Sequence, residues 1–118
     1  MAQISMQGKG NAGDIAELIV REMESSGMST QLVDSINRRI GDLNMYIMVF
    51  EKYYMRSSNR ASLTVVVTEI NHDIKVDAIG AGGGQGVIFK FSWGAEESFV
   101  SVIEEILRRE NFTDLDEQ

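Results

Sequence analysis

The chain has 118 residues, 43% of them hydrophobic and 25% charged, with a net charge of −7, no cysteine, no proline and one histidine. That is the profile of one ordinary globular domain. It excludes disulfides, thiolate chemistry, cysteine zinc sites and histidine-cluster metal sites within the chain, and an acidic chain is poorly matched to nucleic acid, which is bound by neutralising phosphates with Lys and Arg.

The charge is uneven. Between Arg38 and Arg60, five basic residues (Arg38, Arg39, Lys52, Arg56, Arg60) face Asp42 and Glu51, a net of +3, whereas from Glu96 to Gln118 the net is −6. No apolar run approaches the ~20 residues of a membrane span. Met1 to Gly10 lacks the basic and apolar regions of a secretory signal, so a cytoplasmic protein with no membrane and no nucleic-acid partner is expected.

In chain order, "QISMQGKG" alternates loosely and predicts a short strand. In "NAGDIAELIVREMESSG", Ile15, Leu18, Ile19 and Met23 recur at helical spacing. Asn11 is placed to cap with Asp14 three residues on, and Gly27 sits where a C-terminal glycine belongs, so the helix is expected over about 12–26. The next segment supports two readings. Leu32, Val33, Ile36, Ile40 and Leu43 fit one helical face, but "TQLVDS" followed by a loop "INRRIGD" fits a short strand equally well.

From Asn44 the pattern is β. "MYIMVFEKYYM" is rich in β-branched and aromatic residues, with Tyr46, Met48 and Phe50 on one face and Ile47, Val49, Glu51 and Tyr53 on the other. After a turn "RSSNR", the strand "ASLTVVVTEI" sets Leu63, Val65 and Val67 against Thr64, Val66 and Thr68. "NHD" reads as a tight turn. "IKVDAI" alternates Ile74, Val76 and Ala78 with Lys75, Asp77 and Ile79. A glycine-rich stretch follows, then "VIFKFSW" as a further strand. The chain closes on a helix over about 95–110, with an apolar stripe of Phe99, Val100, Ile103, Ile106 and Leu107. Glu96 and Glu97 stand in its first turn and Arg108 and Arg109 in its last, as the helix dipole favours. The expected fold is α+β: a two-layer sandwich in which an antiparallel meander sheet of 4–6 strands is covered on one face by an N-terminal and a C-terminal helix. Residues 1–110 form the domain, and 111–118 an acidic, flexible tail.

Five glycines lie within Gly80 to Gly86. A phosphate-binding Walker loop needs Gly-x-x-x-x-Gly-Lys-Ser/Thr, but Gly86 is followed by Val87, and the dinucleotide fingerprint Gly-x-Gly-x-x-Gly fails at Gln85 or Val87. Such loops also aim helix N-terminal amides at the anion, whereas a strand is expected here. A turn with positive φ accounts for most of these glycines; close approach of a ligand or backbone is the alternative. His72, between Asn71 and Asp73, reads as a solvated turn residue. Glu51 lies in an otherwise apolar strand, where a carboxylate needs a partner, and Arg60 on the adjoining strand is the candidate. The seven methionines suit core packing better than metal binding.

Several pieces taken in order resemble a known group: Phe50, Glu51, Lys52, Tyr53; then Asn59, Arg60, Ser62, Leu63; Gly82 to Gly84; Phe89, Lys90; and Gly94, Glu96. Together they resemble a family of small bacterial proteins, mostly of Gram-positive organisms, classed only as a domain of unknown function. The resemblance covers about residues 44–105. It implies a short strand at 29–35 after the first helix and implies no reaction. Members often carry serine after the glycine pair, where this chain has Gly84 and Gln85.

The functional expectation is a non-enzymatic binding or self-association module: a homo-oligomer, dimer favoured, with no cofactor, metal or catalytic residues. The alternative is a small anionic (phosphate-type) ligand, or an enzyme, at the glycine-rich loop 80–86. Gly82, Gly83, Gly84, Gln85, Lys90, Arg60, Lys52 and Tyr53 would supply contacts and Glu51 would act as acid/base.

Overall fold

The computed structural model describes residues 2–25, 30–54, 59–82 and 100–115. In chain order these form β1 (Ala2–Lys9), α1 (Ala12–Ser25), β2 (Thr30–Ile40), β3 (Leu43–Tyr54), β4 (Asn59–Ile70) and β5 (Asp73–Gly82). A second helix, α2, follows, described over 100–109, and then a two-residue strand β6 (Thr113–Asp114). The strands make one antiparallel sheet in the order β2-β3-β4-β5-β1-β6. β2 to β5 run as a meander, and β1 returns to pair with β5. The fold is α+β, as the sequence indicated.

Alternation assigns the two faces. Met48 lies opposite Val65, Val65 opposite Ala78, and Val67 opposite Val76, which lies opposite Met6. All of these are buried, in one core with Phe50, Leu63 and Ile74. The same core takes in Ile15, Ile19 and Met23 of α1 and Val100, Ile103, Ile106 and Leu107 of α2, so both helices cover this face. Each fully buried aliphatic or aromatic side chain contributes about 1.5–3 kcal/mol.

Both two-residue turns follow local chemistry. Asn71 and His72 carry φ of 52° and 71°, which is the primed hairpin geometry that asparagine tolerates best after glycine. Gly41, with φ 56°, opens the turn from Ile40 to Leu43. The start of α1 is capped twice: Asn11 Oδ1 accepts the Asp14 N–H at 3.1 Å, and Glu69 Oε1, reaching from β4, accepts the Ala12 N–H at 2.7 Å.

The structure corrects three boundaries. The segment after α1 is a strand through Ile40, not a short one ending near 35, and only Gly41 and Asp42 form the loop. Ile36 and Ile40 fit a period of two as well as a helical period, and pairing with β3 decides between them. β5 runs on through Gly82, so Gly80 and Gly82 are strand residues, opposite Leu63 and Ala61. The side of β5 away from β4 is held by β1. The strand expected over 87–93 lies outside the described residues, as do Gly27, Phe99 and the turn residues 55–58.

The third boundary is at the C-terminus, where docked structure continues past 110. The Phe112 N–H donates to the Leu107 carbonyl and the Asn111 N–H to the Arg108 carbonyl, both at 3.0 Å, with Asn111 at φ 68°. This is a Schellman stop with asparagine in the left-handed position. It turns Phe112 back into the core, where it is 2% exposed. Met6 and Gln7 then pair with Asp114 and Thr113. Gly8 makes room for the Phe112 ring: a Cβ there would lie 2.7 Å from it.

Candidate functional site

Of the residues expected to gather at the glycine stretch, Gly83, Gly84, Gln85 and Lys90 lie outside the described residues. The register places the others. Lys52 lies opposite Ala61, and Ala61 opposite Gly82, in a row on the helix-covered side of the sheet. Glu51 lies opposite Ser62, so Glu51 and Arg60, two residues before Ser62 on β4, belong to the other side; in the backbone register Tyr53 lies opposite Arg60. Adjacent strand residues point to opposite faces, and the sheet therefore separates Lys52 and Gly82 from Glu51 and Arg60. Partial burial holds the Lys52 ammonium below its ordinary pKa.

Glu51 and Arg60 do meet. Arg60 Nη1 donates to Glu51 Oε1 at 2.9 Å along a diagonal of the open face. With Arg60 66% exposed the pair is solvated, and such pairs contribute about 0–1 kcal/mol. It is a surface ion pair, with its guanidinium already occupied by the carboxylate proposed for acid/base work.

Sequence reading missed a polar cluster beneath the N-terminus of α1. Asn44 is buried, and its Oδ1 accepts from Asn37 Nδ2 at 2.8 Å, which also donates to the Met45 carbonyl at 3.0 Å. Glu69 lies opposite Asn44 and caps α1. His72, at the turn, has Nδ1 3.4 Å from the Gly10 carbonyl oxygen and 3.8 Å from Glu69 Oε2, while its own carbonyl accepts the Gly10 N–H at 2.9 Å. These groups fasten the β1–α1 corner to the β4–β5 turn. Period-two alternation would have put Asn37, Asn44 and Glu69 on the helix side, had the pairing register been known.

Two shallow clefts each contain an ion pair in their lining. One, of about 570 Å³, lies between β1, β5 and the end of α2 and includes the Lys9–Asp73 ion pair. The other, of about 630 Å³, lies along α2. There Arg108 binds Glu104 at 2.7 Å and Asp114 at 2.9 Å. Those bonds, Glu104 first, raise the Arg108 pKa above its ordinary value. Among the described residues no group of three His, Cys, Asp or Glu could hold a metal ion, and no helix is long and apolar enough to cross a membrane.

The sheet face away from the helices is the largest feature left over. Ile36, Ile40, Ile70 and Ile79 are 43–64% exposed, and all belong to this face by register, with Ile47, Val49 and Val66 half-buried between them. Its charged residues on the described strands are four acids, Asp34, Glu51, Asp73 and Asp77, and four bases, Lys9, Arg38, Arg60 and Lys75. The face is thus neutral on a chain of net charge −7. Ser5 Oγ donates to Asp77 Oδ1 at 2.6 Å, and Lys9 forms an ion pair with Asp73, so both acids toward β1 have a partner on β1.

No curated protein matches the chain. A family model described as "Family of unknown function (DUF6054)" matches residues 1–111, nearly the whole domain. From β1 to the Schellman stop after α2, the chain belongs to this family of unknown function.

Proposed function

We propose that the protein is a non-enzymatic self-association module whose working surface is the sheet face that no described helix covers, and that the occupant of that face is a second copy of the chain. The observation that carries this is the set of exposed isoleucines, Ile36, Ile40, Ile70 and Ile79, on the side opposite both helices, with Ile47, Val49 and Val66 between them. Several exposed large apolar side chains on one face, rimmed by polar ones, mark an interface. Its charge argues for a like copy. Two chains of net charge −7 repel each other, and the face on which acids and bases balance is where that repulsion is least. Two such faces would stack about 10 Å apart, as in a sandwich.

Ile70→Lys and Ile79→Lys test this by sedimentation velocity. Both side chains are exposed in the single chain, so each variant should stay folded while the wild-type oligomer shifts to a smaller species. A wild-type protein that stays monomeric into the hundreds of micromolar, or an oligomer indifferent to both lysines, would overturn the reading.

A further inference from the structure

The meander leaves a second surface unspent, the outer edge of β2. Among the described residues no strand pairs with that side. The strand is 11 residues long, and Val33 to Ile40 are exposed throughout. Edge strands are usually kept short or blunted by charges, lysine above all, by proline or by bulges. This one is long, has no lysine or proline, and sets Val33, Ile36 and Ile40 among Asp34, Arg38 and Arg39. A bulge between Leu32 and Asp34 marks one end, and from Asp34 to Ile40 the register with β3 is regular.

The direction of the free backbone groups follows from the hairpin. A two-residue turn closes on a pair that exchanges both of its hydrogen bonds, here Ile40 and Leu43, and bonded and non-bonded pairs then alternate. Ile40, Arg38 and Ile36 therefore bond to β3, and the N–H and C=O groups of Ser35, Asn37 and Arg39 point outward. In agreement, the Ser35 N–H is taken up by its neighbour's side chain, Asp34 Oδ1, at 2.8 Å.

We propose that β2 pairs antiparallel with β2 of a second copy, about a two-fold axis at Ile36. Outward groups must meet outward groups, which leaves few registers. Ser35 opposite Ser35 sets Asp34 against Ile36. Ser35 opposite Arg39 sets Arg38 against Ile36. Asn37 opposite Arg39 sets Arg38 against Arg38. Ser35 opposite Asn37 alone sets Asp34 against Arg38, twice by symmetry, with Ile36 against Ile36 between them. Opposite charges and apolar pairs directly across an antiparallel ladder are the favourable combinations, and like charges the unfavourable one. In that register the Ser35 N–H passes to the Asn37 carbonyl of the other copy, and Asp34 is released to Arg38.

This interface is separate from the apolar face. Its two-fold axis stands perpendicular to the sheet, and that of face stacking lies between the two sheets. Operating together, the two axes close four copies with D2 symmetry, with no edge of β2 left to extend.

The absence of cysteine gives a direct test. Ile36→Cys, at an exposed position, should form disulfide-linked dimers on mild oxidation, because the paired Cα atoms would lie within the ~4.4–6.8 Å a disulfide spans. Asp34→Cys should not. Asp34→Arg should weaken edge association at least tenfold in native mass spectrometry, and adding Arg38→Asp should restore it. In Ile70→Lys, Ile36→Cys should still cross-link. An oligomer in which Ile36→Cys fails to cross-link refutes the edge pairing and leaves face association standing. A monomer under every condition refutes both.

Discussion

Phe112→Ala separates a docked C-terminus from a frayed one. The ring is 2% exposed, in one core with Ile106 and Leu107, and stands against the bare backbone of Gly8. Truncating a buried phenylalanine to alanine costs about 3–5 kcal/mol, because transfer energy is lost and the space does not fully collapse. At about 2.1 cal/mol/K per residue, a chain of this length unfolds with an entropy near 250 cal/mol/K, so the melting temperature should fall by roughly 12–20 °C. Circular dichroism melts and urea titrations on the full chain would measure it. Gly8→Ala should also destabilise, since its Cβ would lie 2.7 Å from the ring. Combined with Phe112→Ala it should cost less than the sum of the two, because the new methyl then enters vacated space. A Phe112→Ala loss below about 1 kcal/mol, the size of ordinary surface substitutions, or strict additivity with Gly8→Ala, would refute the docking.

Two further outcomes follow from the corners of the sheet. Glu69→Ala removes the acceptor for the first N–H of α1 and should lower stability by about 1–2 kcal/mol, whereas Glu69→Gln keeps an acceptor and should cost less; equal melts for the two variants would show that Glu69 does not act as a cap. The hydrogen bond from Lys9, followed by its charge and smaller contributions from Lys75 and His72, holds the Asp73 carboxyl below its ordinary pKa. A depressed carboxylate stabilises the fold fully above its unfolded value of about 3.9, and the contribution is lost as pH falls through the lower folded value. The melting-temperature gap between wild type and Lys9→Met should therefore be present at pH 6 and close toward pH 2. A gap that is constant with pH would assign the effect of Lys9 to something other than this ion pair.

Local pattern determined most of the elements. The helical spacing of Ile15, Leu18, Ile19 and Met23, the cap at Asn11 and the alternation through Tyr46–Phe50, Leu63–Val67 and Ile74–Ala78 are properties of short windows, and each sorts its residues onto the face the structure buries. The cues for the C-terminal stop were also local, Asn111 followed by Phe112, but they were obscured by the acidic composition around them. What tertiary structure decided were matters of register and neighbour. Ile36 and Ile40 suit a helix or a strand, and only the ladder to β3 makes them a strand edge. Gly80 and Gly82 resemble a loop until β4 pairs with them. Glu51 and Lys52 are neighbours in sequence and were assigned to one site, yet the pleat sends them to opposite sides of the sheet. Glu69 is 57 residues from the helix N–H it accepts, a distance no periodicity spans. The sequence lists which side chains are apolar. Which of them stay uncovered depends on where both helices pack, and that is a property of the assembled sheet.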